Sequence, residues 1–226
     1  MKQSMPIIIT IDGPVAAGKT VVGKMVATSL GCMFLDTGGM YRAVTRRALE
    51  LNIDLKDVGE LSALASSMSM QLETDEDGID RLWVDGKDFT DELRSAEVER
   101  NVSIVAKVPG VRLAMVEKQR AISRDKHIVM VGRDIGTVVL KDAPIKIYLT
   151  ASVQERARRR SLEMQSLGRE LDSYQVREDL DRRDMIDSRR EDSPLRPAED
   201  AITINTDGIE IEDIVGRIVA IARRIQ

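Results

Sequence analysis

Gly13-Pro14-Val15-Ala16-Ala17-Gly18-Lys19-Thr20 carries the clearest chemistry in the chain. It matches the spacing G-x-x-x-x-G-K-[ST] at every position. A short β-branched run, residues 6–12, precedes it, and a helical pattern over 18–30 follows, stopped by Gly31. In a strand–turn–helix of this kind, backbone N–H groups wrap phosphates at the helix N-terminus. The glycines let the backbone turn and approach the anion closely. Lys19 is expected on the β- and γ-phosphates and the Thr20 hydroxyl on Mg²⁺. The plain alternative, a glycine-bearing turn with a chance lysine, does not account for the flanking strand and helix.

Two further segments sit where strands are expected to end. They are Asp36-Thr37-Gly38-Gly39-Met40-Tyr41-Arg42 and Gly132-Arg133-Asp134-Ile135-Gly136-Thr137. In open parallel sheets, ligands bind beyond the carboxyl ends of the strands. Taken singly, each segment also reads as a capped turn. Beside the phosphate loop, they place Arg42 and Arg133 where a second phosphate could sit. Arg183, Asp187 and Arg190 stand at i, i+4 and i+7, so a helix over 173–190 puts them on one face. By themselves these three suit a solvated salt-bridge face equally well. The cluster Arg156, Arg158, Arg159, Arg160 lies near Glu155 and Glu163, so part of it is expected to be a solvated face. Arg156 and Arg160 are the members expected to swing onto a transferred phosphoryl.

The elements that must position these groups follow from the apolar pattern. Short runs at 6–12, 32–36, 127–131, 145–149 and 201–205 alternate with helical patterns, including 40–51 and 211–224. Such alternation indicates a parallel sheet covered on both faces. One interruption lies near 68–91. Residues 68–73 and 80–84 alternate in polarity, and Asp85-Gly86 is a two-residue hairpin signal, so a small antiparallel insertion is expected. Helices over 95–107 and 110–124 follow, with Pro109 breaking the pattern between them. Ser152-Val153-Gln154-Glu155 has the form of a capping box and opens the arginine-bearing helix.

Composition narrows the classes. The chain has 226 residues, of which 42% are apolar, with net charge −4. It can bury a sizeable core, and disorder is excluded as its dominant state. Apolar runs of about six residues fall far short of the ~18 that a membrane span needs. Met1-Lys2-Gln3-Ser4-Met5 shows no secretory h-region. A single cysteine, Cys32, makes no internal disulfide and suits a reducing cytoplasm. Arginine outnumbers lysine 24 to 10, and its planar fork grips phosphates bidentately. Between residues 152 and 190, however, 10 arginines face 9 acidic residues, whereas a nucleic-acid stripe should be net positive. Six aromatics also offer few stacking platforms for single strands. Small phosphorylated ligands are expected, with no nucleic acid and no membrane. No coiled-coil pattern is visible, and a monomer is expected. His127, the sole histidine, reads as a strand boundary, and Cys32 and Trp83 as packing residues.

The segments 13–20, 36–42 and 132–138 occur in this order, followed by Arg182-Arg183-Asp184-Met185-Ile186-Asp187-Ser188-Arg189-Arg190. Together they closely resemble the bacterial-type cytidylate kinases of the nucleoside monophosphate kinase family, over nearly the whole chain. The resemblance implies an α/β, P-loop three-layer fold: a five-stranded parallel sheet, helices on both faces, a small antiparallel β insertion and a short lid. It implies a single kinase domain with a core (about 1–60, 110–155 and 190–226), a monophosphate-binding insertion (about 61–109) and a lid (about 156–172). The implied reaction is ATP-dependent phosphorylation of CMP, with dCMP as a second substrate and Mg²⁺ accompanying ATP.

By the same resemblance, Arg42 and Arg133 bind the acceptor phosphate, and Thr37 and Tyr41 shape its pocket. Ser103, Arg112 and Asp134 read the cytosine edge. Arg183 and Asp187 hold the ribose, and Arg190 bridges base and phosphates. Ser103 and Arg112 are separated by Pro109 and must converge in space. The catalytic set is expected to be Lys19, Arg133, Arg156 and Arg160. Two positions depart from the family pattern: Val131 stands where an acidic residue is common, and Val21 where a hydroxyl residue is common. A shikimate-type small-metabolite kinase is the alternative enzyme, but it leaves Arg183, Asp187 and Arg190 unexplained. A GTP-binding switch is the non-catalytic alternative, and it lacks an N-K-x-D guanine-reading motif.

Overall fold

The structure is a computed structural model and describes residues 6–89, 95–166, 168 and 172–225. The five N-terminal residues, on which the reading about a leader rests, lie outside the described residues. Residues 167 and 169–171 of the expected lid do so as well.

Strands β1 (Ile8–Asp12), β2 (Met33–Asp36), β6 (Ile128–Gly132), β7 (Ile145–Thr150) and β8 (Ile202–Asn205) form one sheet in the order β2-β6-β1-β7-β8. All four pairings are parallel. The register sets Asp12 opposite both Gly132 and Tyr148, and Asp36 opposite Val131. The polar residues that end the strands therefore line one edge of the sheet.

Successive side chains of a strand point to opposite faces, and the core divides accordingly. Val129 and Val131 of β6 pack on the face covered by α1 (Lys19–Leu30) and α8 (Ile211–Ile225), through Val22, Val26, Ile214 and Ile218. Ile128 and Met130 pack on the other face. There they meet Met40 and Val44 of α2 (Thr37–Glu50), Leu61 of α3 (Val58–Ser67) and Met115 of α5 (Pro109–Ser123). Each such buried side chain contributes about 1.5–3 kcal/mol. Three layers with helices on both faces result, as expected.

The insertion is the antiparallel sheet β3 (Met70–Thr74), β4 (Asp80–Val84), β5 (Lys87–Asp88). Asp85 (φ 49°) and Gly86 (φ 77°) both take the left-handed conformation, which matches the twist of a tight hairpin. Met70, Leu72, Leu82 and Val84 point inward and join the core beneath α2 and α5. The Asp80 carboxylate accepts from Phe34 N at 2.6 Å. The insertion thus shares the main core.

Several boundaries differ from expectation. Helix α2 starts at Thr37, earlier than residue 40, because the Asp36 side chain caps it by accepting from Gly38 N. Helix α3, capped by Asp57 at Glu60 N, was not anticipated. Pro109 opens α5 at its first turn, where its missing N–H costs nothing. After β6 the chain makes a π-helical turn, Ile135–Val139. The remaining helices are α4 (Ala96–Val105), α6 (Val153–Ser166) and α7 (Ser173–Ser188). Arg190 lies beyond the end of α7, so the expected i, i+4, i+7 helical face does not extend to it. No helix of the described residues is long and apolar enough to cross a membrane.

Candidate active site

The carboxyl edge of the sheet opens onto a cleft of about 810 Å³. On one side lies the phosphate loop. Gly13 has φ 150°, and a Cβ there would stand 2.1 Å from Leu149 O, so only glycine permits this passage over β7. Gly18 (φ 90°) caps α1. Lys19 is buried, and its ammonium donates to Pro14 O at 2.6 Å. Burial, reinforced by the charge of Arg133, holds the Lys19 pKa well below its ordinary value. A phosphate in the loop would add to the opposite charge of Asp36, Asp12 and Asp187 and raise that pKa again. The Thr20 hydroxyl lies 3.3 Å from Asp36 Oδ2.

Asp12 ties this loop to the second motif. Its two carboxylate oxygens accept from Ile135 N and Gly136 N, each at 2.8 Å. Burial raises its pKa to about 6, although both amides oppose the shift. Thr37 Oγ1 donates to Val131 O at 2.9 Å and pins α2 to the end of β6. Nothing in the sequence motif singles out Asp12, although it sits immediately before Gly13.

The far wall is built from guanidinium groups. Arg133 Nε donates to Asp187 Oδ2 at 2.8 Å, and Asp187 also pairs with Arg190. Arg112 is ion-paired with Asp134, both nearly fully buried, and donates to Ala106 O at 3.2 Å. The Arg112 guanidinium stands 5.8 Å from the centroid of the Tyr41 ring. Burial raises the Tyr41 phenol to about 12, so it stays a neutral donor. Arg42 reaches Asp36 at 3.4 Å. Ser103 and Arg112 both line the cleft despite Pro109, because α4 and α5 both pack against α2.

The arginine cluster separates into different roles. Arg160 and Arg183 line the cleft and converge on Glu99 Oε2, each at 3.1 Å. Arg159 stands by the phosphate loop and donates to Thr206 Oγ1 and O at 2.9 and 2.8 Å. Arg158 pairs with Glu155 and is mostly exposed. Arg156, expected to swing onto the phosphoryl, does not line the cleft in this structure. It is buried, paired with Asp184 at 2.7 Å and donating to Val15 O at 3.2 Å. It serves as a strut between α6, α7 and the phosphate loop. Gly13 and Pro14 also lie behind the cleft wall. Glu99 escaped the sequence reading; the available signal was its place one helical turn before Ser103.

The donor set suits Mg²⁺ delivered with a nucleotide. No cluster of three or more metal-ligating side chains exists among the described residues, whereas Thr20 offers one hydroxyl with the Asp36 carboxylate beside it. Mg²⁺ commonly keeps its waters and takes few protein ligands beside substrate phosphates.

A phosphate loop on the switch edge of a parallel sheet, faced by a wall of guanidinium groups, defines a P-loop kinase. The family model described as cytidylate kinase matches residues 9–224. The chain is 48% identical over 221 residues to a cytidylate kinase of Desulfitobacterium hafniense, covering 98% of this chain and 94% of that protein. It is also 48% identical over 212 residues to a cytidylate kinase of Pelotomaculum thermopropionicum, covering 94% of each. Among solved structures, an uncharacterized protein from Eubacterium ventriosum aligns with TM-score 0.50 at 13% identity, over 96% of this chain and 98% of that chain. That likeness shows the fold alone. The chain belongs to the cytidylate kinase family and is a phosphotransferase.

Proposed function

We propose a division of labour within this site for the reaction of the family, transfer of the γ-phosphoryl of ATP to CMP, giving CDP and ADP. The observation that carries it is the arrangement of the cleft: Lys19 in its loop on one wall, and Arg42, Arg133, Arg160 and Arg183 on the others. Residues 13–20 cradle the ATP phosphates, with Lys19 on the β- and γ-groups. Arg42 and Arg133 take the acceptor phosphate, and Thr37 and Tyr41 wall that pocket. Ser103, Arg112 and Asp134 read the cytosine edge. Arg183 and Asp187 hold the ribose, and Arg190 bridges base and phosphates. dCMP fits the same reading as a second substrate.

The acceptor oxygen belongs to an already ionised phosphate, so no strong base is required. The difficulty is bringing two polyanions together. Lys19 and the guanidinium groups offset that repulsion, and their fixed positions hold donor and acceptor in line. Thr20, with Asp36 nearby, would hold the Mg²⁺ that accompanies ATP, and that ion would supply further charge neutralisation at the phosphates. Residues 61–109 act as the monophosphate-binding insertion and 156–172 as the lid. The lid closes with Arg160 facing the transferred group and excludes water that would otherwise hydrolyse ATP. Arg156 acts through position, by bracing Val15. We place the enzyme in the cytoplasm as a monomer without nucleic-acid partners, where a reduced Cys32 and small nucleotides are both accommodated.

A coupled ADP-release assay with CMP, dCMP, UMP, AMP, dTMP and shikimate tests the reading. CMP should support the highest kcat/KM. Preference for AMP, dTMP or shikimate would overturn it.

A further inference from the structure

Glu99 on α4 stands where guanidinium groups from two other helices converge. Its Oε2 lies 3.1 Å from Arg160 Nη2 on α6 and 3.1 Å from Arg183 Nη2 on α7. The three side chains are only 14–16% exposed, yet all line the cleft. Burial alone would raise the Glu99 pKa, but Arg183, Arg42 and Arg160 outweigh it and hold the carboxyl below its ordinary value. A carboxylate ion-paired with two arginines, and within the field of a third, offers them the same sign of charge as a phosphate would.

We propose that the Glu99 carboxylate is a built-in competitor for the nucleotide, setting substrate affinity by occupying Arg160, placed at the transferred phosphoryl, and Arg183, placed at the ribose, until the ligand displaces it. The proposal deepens the reading above and rests on its placing of these arginines beside the nucleotide. Both arginines keep a second anchor when the carboxylate withdraws. Arg160 Nη1 remains on Glu163 Oε2 at 2.7 Å, and Arg183 also donates to the backbone carbonyl of Glu99. Removing the charge therefore frees donors for an anion without releasing the guanidinium groups from the cleft wall.

The test uses the full chain as wild type, Glu99→Gln and Glu99→Ala, titrated calorimetrically with inorganic pyrophosphate and assayed for CMP turnover. Thermal midpoints establish that each variant is folded, and the second variant carries the test if one fails. Both should bind pyrophosphate at least about threefold more tightly, as expected for a partly buried ion pair removed from competition. KM for CMP should fall with them. Unchanged or weaker pyrophosphate binding, or a raised KM, overturns the proposal. Wild-type turnover separates the two readings. An active wild type whose variants gain no affinity refutes the role of Glu99 alone. A wild type inactive on CMP refutes the substrate, whatever the variants do with pyrophosphate.

Discussion

Arg133 at the end of β6 and Asp187 on α7 are joined by a 2.8 Å ion pair in the wall of the cleft. Asp187 holds Arg190 with its other oxygen. One buried carboxylate thereby sets the spacing of two guanidinium groups that stand 57 residues apart in the chain. Pre-organisation of this kind removes the ordering cost from the moment of binding.

Replacement of Arg133 exposes that arrangement to measurement. Arg133→Ala removes one guanidinium from the cleft wall, at the position proposed for the acceptor phosphate, and leaves the phosphate loop intact. The Kd for CMP should rise by about tenfold or more, as for a lost charge-assisted contact, with a much smaller change for ATP. Equal losses for the two nucleotides, read by calorimetry, would contradict the assignment.

Lys19 lies within the phosphate loop, where its ammonium donates to Pro14 O. Lys19→Ala should lower kcat by about 100-fold or more, on the scale of removing an electrostatic transition-state donor. The thermal midpoint should hold or rise, because a buried ammonium with a depressed pKa is costly to fold. A variant with near-normal kcat would displace Lys19 from the chemistry.

Asp134 is buried against Arg112, so its replacement carries two consequences. Asp134→Ala should relax the choice between CMP and UMP in kcat/KM. It should also destabilise the fold by roughly 3–5 kcal/mol, because Arg112 is left as an uncompensated buried charge. An unchanged CMP/UMP ratio in a folded variant would remove Asp134 from base reading.

Asp12 predicts a specific pH dependence. Its folded-state pKa of about 6 lies above the ordinary value of 3.8. Between those values the folded chain holds more protons than the unfolded chain. The Asp12 contribution is thus fully present below pH 3.8 and is lost as pH rises through about 6. Urea denaturation of wild type and Asp12→Asn across pH 4–7 should show the wild type losing roughly 3 kcal/mol relative to the variant. A difference independent of pH would rule out the raised pKa. Carboxyl NMR of Asp12 would locate the same midpoint.

The local grammar of this chain was legible wherever a backbone requirement selects a residue type. Residues 13–20 announce their loop because glycine alone tolerates the approach of Gly13 to Leu149 O. Asp85-Gly86 announces its hairpin because both residues turn left-handed. Alternating apolar runs foretell a parallel sheet, since strands buried on both faces need apolar side chains on each. The family motifs likewise picked out the side chains that now face one another across the cleft. Tertiary packing alone decided which arginines face it. Arg156 and Arg160 share a face of α6, yet Arg156 is drawn inward by Asp184 and Val15, while Arg160 meets Glu99. Asp12 and Glu99 were invisible for the same reason. Their ion-paired or hydrogen-bonded partners lie more than 60 residues away in the chain, and an ion pair or a carboxylate–amide hydrogen bond between distant segments leaves no periodicity along the sequence.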